Sequence, residues 1–247
     1  MPLCSRTLAA ISVFAAIPAA AQPIATDRPD FTEGTSSVAL GRVQVEAGTT
    51  LAADLSAETV LGGPEVLLRA GVGRVFGRGV EARVVLPDAA APVASRLRTD
   101  EATFGDAAVG VKAELGRVGG WDAALIADVT LPVGTDGAPP SPRALVALGR
   151  EVGRVSVGTQ AEALWDREAD RVLVGATLVG GLGLTERVSA FLEVAASALP
   201  EGPAAVVLHS GVTLALGEAL QLDVHGGAGV TRTAPDVFVG AGVGVRF

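Results

Sequence analysis

From residue 237 to the end of the chain, side-chain character alternates with a period of two. Val237, Val239, Ala241, Val243, Val245 and Phe247 share one face, and Gly240, Gly242, Gly244 and Arg246 share the other. An apolar row backed by a small or polar row predicts a transmembrane β-strand whose apolar side meets lipid. The ring of Phe247 would then sit where bilayer meets water. The same alternation recurs near 41–53, 64–73, 79–86, 104–115, 120–132, 142–150, 152–165, 170–181, 186–197, 204–215, 219–230 and 235–247. Two clear cases set Val43, Val45 and Ala47 against Gln44, Glu46 and Gly48, and Leu220, Leu222 and Val224 against Gln221, Asp223 and His225. Segment 170–181 is the least regular, because Leu173 and Val179 fall on its inner row. The expected fold is all-β, a transmembrane antiparallel up-and-down β-barrel of about 12 strands.

The connections carry a second pattern. Long, turn-rich stretches at 54–63, 87–103 and 133–141 alternate with short ones at 74–78, 116–119, 151 and 182–185. Extracellular loops and periplasmic turns sort in this way, and an even strand number puts both termini in the periplasm. Trp121 and Phe247 fall on outward rows at the periplasmic interface and Trp165 at the outer one.

At the start of the chain, Arg6 followed by the apolar stretch 8–17 and by Ala19, Ala20 and Ala21 reads as a secretory signal peptide over 1–21. Its apolar core is too short to span a bilayer as a helix. Cys4 precedes that core, whereas a lipid-bearing cysteine must follow it, so no lipid anchor is expected. Cleavage near Gln22 leaves a mature chain without cysteine, which excludes disulfides and thiolate chemistry. The organisation expected is a signal peptide at 1–21, a periplasmic N-terminal segment at 22–40 able to enter the lumen, and an outer-membrane barrel at 41–247.

Composition supports this assignment. Mean hydropathy is +0.46, yet no apolar run after the leader is long enough for a membrane helix. A net charge of −8 argues against a nucleic-acid partner, which would need a basic face. Tyrosine is absent and aromatics make up 4 % of the chain, so any interfacial girdle is thin.

The inner row is where function should reside. Arg69, Glu81, Arg83, Lys112 and Glu114 project inward from the early strands, with Glu46 on the first. Glu162, Glu193, His209, Asp223, His225 and Arg246 do so from later ones. Such charges either line a wet channel or pair across a filled interior. Inner-face glycines (Gly48, Gly227, Gly229, Gly240, Gly242, Gly244) gather on the closing seam, where glycine often marks close approach by another backbone or a ligand.

No catalytic signature is present: there is no HExxH, no Cys/His set, no GxSxG, no Walker loop and no GxGxxG. His209 and Ser210 are adjacent on a strand and point to opposite faces, so they cannot form a nucleophile–base pair. Neither enzyme activity, nor a metal site, nor a cofactor is expected.

Residues 26–34 read TDRPDFTEG, in which Asp27, Arg28, Asp30 and Glu33 surround a proline that cannot donate to a ladder. This stretch is not a membrane strand. It is expected to fold into the periplasmic mouth of the barrel as a plug, with Arg28 and Asp30 pairing with luminal charges such as Arg246 and Glu46; the alternative is a mobile periplasmic tail.

The TDRPDFTEG opening, the following VQVEAG at 43–48, PEVLLRAG at 64–71, GDAAVGVKAEL at 105–115, LPVGTDG at 131–137, LEV at 192–194 and the run 210–247 resemble one known family. That family is the outer-membrane transporters named for the MetA pathway of phenol degradation. The sequence departs from its relatives where they carry tyrosine, as at Ala70. The resemblance implies a Gram-negative-type outer membrane location, passive uptake of small apolar or aromatic solutes, and Phe247 as the signal read by the barrel assembly machinery. Outer-membrane lipid and a small-molecule solute are the other expected partners. A non-conducting structural or surface-interaction barrel is the alternative.

Overall fold

The computed structural model describes residues 24–53, 58–95, 102–134, 138–167 and 169–247. The expected leader, with Cys4, lies outside the described residues. Fourteen strands follow in order: β1 (Val43–Ala53), β2 (Glu58–Val75), β3 (Arg78–Leu86), β4 (Ala89–Ser95), β5 (Thr103–Phe104), β6 (Ala107–Val118), β7 (Trp121–Leu131), β8 (Ser141–Val152), β9 (Val155–Asp166), β10 (Arg171–Gly183), β11 (Val188–Ala198), β12 (Ala205–Ala215), β13 (Leu220–Gly229) and β14 (Val237–Arg246). Successive wall strands pair antiparallel, β3 passes directly to β6, and β1 pairs with both β2 and β14. With β4 and β5 set aside, the other twelve strands form a closed antiparallel barrel, so no wall strand presents an unpaired edge to lipid.

Side chains sort as the alternation requires. Leu178, Val224 and Val239 face outward and are more than half exposed, as a lipid-facing row must be in the absence of its bilayer. Glu46, Glu81, Lys112 and Glu193 on the inner row are fully buried. Trp165 and Phe247 stand on the outside at opposite ends. The short turns lie at the end where β1 begins and β14 finishes, which makes that end periplasmic.

Two stretches expected to be loops contain strand. β2 begins at Glu58, so the connection after β1 is much shorter than 54–63. The connection after β3 contains β4 and β5: β4 pairs with Glu58–Gly62 of β2, beyond the part of β2 that pairs with β3. The physical reason is β2's length. Its outer half overruns β3, and its exposed backbone groups recruit a returning strand. Alanine-rich β4 gave no alternation from which to read this.

Because Val224 on β13 and Leu178 on β10 lie near mid-strand and face outward, Val224→Arg or Leu178→Arg should cost about 2–4 kcal/mol of barrel stability. Urea titration of barrels refolded in lipid vesicles checks this. Val224→Leu, which keeps the face apolar, should leave the midpoint unchanged.

Candidate functional site

Residues 24–40 form no strand ladder and lie inside the barrel. A buried backbone without ladder partners must find acceptors for its N–H groups elsewhere. Here the wall supplies them. Glu46 Oε2 accepts from the N–H groups of Asp27 (2.9 Å) and Arg28 (3.0 Å). The two oxygens of Glu193 accept from Phe31 (2.9 Å) and Thr32 (2.8 Å), and Gln160 accepts from Glu33 (2.8 Å). Farther on, Glu114 accepts from Ser37 (2.8 Å) and Glu81 from Val38 (2.7 Å). Near its end the segment makes a parallel bridge from Leu40 to Gly71.

Carboxylates buried in this way need cations. Arg69 contacts Glu81 (2.9 Å), Glu46 (2.8 Å) and Asp27 (3.2 Å). Arg83 reaches Asp27 (2.5 Å) and Glu33 (2.8 Å), and Lys112 Nζ reaches Asp27 (2.7 Å). Asp27 is thus shared by three buried cations from β2, β3 and β6. Arg143, paired with Asp128 at 2.7 Å, also faces Glu33. Burial would raise the Asp27 pKa, but Arg69, Lys112 and Arg83 hold it well below the usual carboxylate range. Glu33 goes the other way: burial and the Asp27 charge push it up to about 7, against the pull of Arg83 and Lys112. Asp30 is raised as well, by burial and by the Glu193 charge.

The opposite part of the wall is aromatic and glycine-rich. His209 Nδ1 lies 2.9 Å from Glu193, and its Nε2 lies 3.0 Å from His225 Nδ1. Glu193 can only accept when ionised, so neutral imidazoles order themselves in one direction. With both imidazoles neutral, His225 Nδ1–H would donate to His209 and His209 Nδ1–H to Glu193, while Arg28 faces His225 Nε2 at 3.5 Å. The Phe31 ring stacks 4.5 Å from His209, with Phe191 and Phe238 around the same imidazole. The seam glycines leave room for the segment. A β-carbon on Gly48 would stand 2.2 Å from Arg28 Cζ, one on Gly242 2.5 Å from Arg28 Nε, and one on Gly244 2.4 Å from Thr26 Cγ2.

Glu46, Arg69, Glu81, Arg83, Lys112, Glu193, His209 and Asp223 are buried on the inner face, and Glu114, Glu162, His225 and Arg246 are partly exposed there. The pairing expected for the segment differs in detail. Arg28 meets Glu46 through its backbone, while its guanidinium goes to Glu65 (2.8 Å). Asp30 does not meet Arg246, whose Nη2 donates instead to the Glu218 carbonyl at the periplasmic rim. The reason is reach: the segment crosses the lumen, carrying Asp30 toward Glu193 on β11 and away from the start of β1. Asp223 and His225 are bridged by Arg28 and do not meet as a pair. Gln44, Gln160, Thr177, Arg143 and Asp128 also serve the site; their inner-row parity was readable, but a period-2 pattern does not say what an inner residue faces. Among the described residues no group of three or more His, Cys, Asp or Glu is arranged to hold a metal.

A closed twelve-stranded barrel of this kind is the fold of outer-membrane channels and porins. It superimposes on an outer membrane channel from Pseudomonas putida F1 with a TM-score of 0.67 at 12% identity, over 86% of this chain and 98% of that one. It superimposes on the KdgM porin with a TM-score of 0.57 at 9% identity, over 83% and 99% of the two chains. No curated protein matches in sequence. The model of the family named for the MetA-pathway of phenol degradation matches residues 26–247, and the chain belongs to that family. The match begins at Thr26, so the luminal segment is part of the family pattern.

Removing Asp27 would leave three buried cations short of a partner. Asp27→Ala should therefore weaken docking of the segment by about 3–5 kcal/mol. Labelling of a reporter thiol at Thr35→Cys should accelerate accordingly, while the barrel keeps its strand signal. Docking should also depend on pH through Glu33. Its pKa is raised from 4.5 to about 7, so the docked state holds the proton more tightly than the released one. That contribution is fully present below 4.5 and is lost as pH rises through about 7. Asp27 acts in the opposite sense, stabilising docking above 3.8 and failing only in stronger acid. Labelling at Thr35→Cys, normalised to free cysteine, should be faster at alkaline than at mildly acidic pH; Glu33→Gln should reduce the difference, and the remainder, which Asp30 supplies with the same sign, should go in Glu33→Gln with Asp30→Asn.

Proposed function

We propose that the protein is a passive outer-membrane channel for small apolar or aromatic solutes, in which residues 24–40 act as a luminal plug that must shift for passage. The observation that carries this reading is the binding of a family-specific N-terminal segment to the inner wall by side-chain contacts and not by a ladder. Its polar and ring contacts reach eleven of the twelve wall strands, from Glu46 on β1 to Phe238 on β14. Side-chain contacts of this kind can be released without unzipping the barrel. An aromatic solute finds a complementary surface at Phe31, which is 44% exposed although it sits within the lumen, beside Phe238 and His209.

Deleting 26–34 should raise single-channel conductance in planar bilayers and speed liposome swelling. A reversible lock provides the matched control. A β-carbon at Gly244 would stand 3.7 Å from Thr26 Cβ, within disulfide reach, so Thr26→Cys with Gly244→Cys should hold the low-conductance state until reduced. If intact, deleted and reduced forms were all silent, the channel reading would fall and the non-conducting structural barrel would stand.

A further inference from the structure

The Arg28 guanidinium occupies a pocket built for a planar cation that it satisfies poorly. Its floor is glycine: β-carbons on Gly48 and Gly242 would lie 2.2 and 2.5 Å from guanidinium atoms, so the group rests flat against bare backbone of β1 and β14. The surrounding wall groups are two carboxylates, Glu65 and Asp223, and Nε2 of His225. Only Glu65 is engaged at full strength, at 2.8 Å. Asp223, whose side chain is 1% exposed, stands 3.6 Å from Nη2, and its Oδ1 has no hydrogen bond. Arg28 Nε is likewise buried without an acceptor. A buried carboxylate oxygen left unsatisfied is costly, and a free ligand not held by the Arg28 stem can centre itself between the two acids.

We propose that this pocket is a binding site for a solute bearing a guanidinium group, and that such a solute competes with Arg28 and so releases the luminal segment. The proposal rests on the plug reading for its consequence, while the site itself does not require conduction. Discrimination comes from shape: a planar, forked donor can lie on the glycine floor and bridge Asp223 and Glu65, whereas a compact ammonium cannot reach both in one plane. Gly48 is the position that makes this selective, because the three atoms nearest to a β-carbon there all belong to the guanidinium.

Two measurements on the full mature chain test this with methylguanidinium as the probe. In Arg28→Ala the emptied pocket should bind it, raising the thermal midpoint by several degrees toward that of the native chain. Adding Gly48→Ala or Asp223→Asn to Arg28→Ala should abolish the rescue. With Arg28 intact, millimolar methylguanidinium should slow disulfide formation between Thr26→Cys and Gly244→Cys several-fold, while equal urea or sodium chloride should not. No rescue of Arg28→Ala, or rescue without slowing of the cysteine pair, would overturn the proposal. Equal action by methylammonium would overturn the planar-group assignment. Should Arg28→Ala fail to fold, the cysteine-pair measurement decides alone. A barrel silent in planar bilayers would remove the channel reading and leave both binding readouts standing.

Discussion

An irregular stretch of backbone enclosed by a barrel has no ladder to satisfy its N–H groups, and that constraint organises the interior of this protein. Glu46, Glu81, Glu114, Gln160 and Glu193 are spaced around the wall as side-chain acceptors for residues 27–38. Once those carboxylates are buried they need countercharge, which explains Arg69, Arg83 and Lys112 on the neighbouring strands; Glu193 is met by the imidazole nitrogen of His209 at 2.9 Å. The charged lumen that looks like a pore lining in sequence is thus largely a receptor for the chain's own beginning. Buried ion pairs of this kind add little net stability when intact, but breaking one is expensive. They specify one docked position more than they strengthen the fold.

The barrel was legible because lipid on one side and protein on the other impose a period of two on every wall strand. The placing of the twelve wall strands, the inner-row charges and the outward rings at Trp165 and Phe247 follow from that rule. Irregularity begins where the rule stops. Proline and four charges mark residues 26–34 as not a strand, but the partners of Asp27 lie 42 to 85 residues away on three strands. Which inner residues converge at one height depends on register and shear, and no local pattern encodes those. The overrun of β2 and its capture of β4 were hidden for the same reason, since a loop strand with one partner needs no alternation.

The glycine seam was visible in sequence as a cluster, and its cause lies in the third dimension. On β1 and β14, at Gly48, Gly242 and Gly244, β-carbons would collide with Arg28 or Thr26; on β13 and β14, at Gly227 and Gly240, they would collide with Phe238 and His225. Glycine weakens a strand interior through entropy and lost packing. Tolerating several at the closing strands makes sense only if the freed volume is filled from within. The wall there is thin so that the segment can lie against backbone.

The segment runs directly into β1, one of the strands whose glycines receive Arg28, so docking is intramolecular and the tether sets a high effective concentration. Each contact can then be individually imperfect, as the unsatisfied Arg28 Nε and Asp223 Oδ1 are, without loss of the docked state. Tight contacts concentrate at Asp27, toward β2, β3 and β6, and loose ones at Arg28, toward β13 and β14. With the segment firm at Asp27 and under-satisfied at Arg28, Arg28 is the contact most easily displaced. The weak point is confined to the Arg28 side chain, since, three residues on, the N–H groups of Phe31 and Thr32 are held by Glu193 at 2.9 and 2.8 Å.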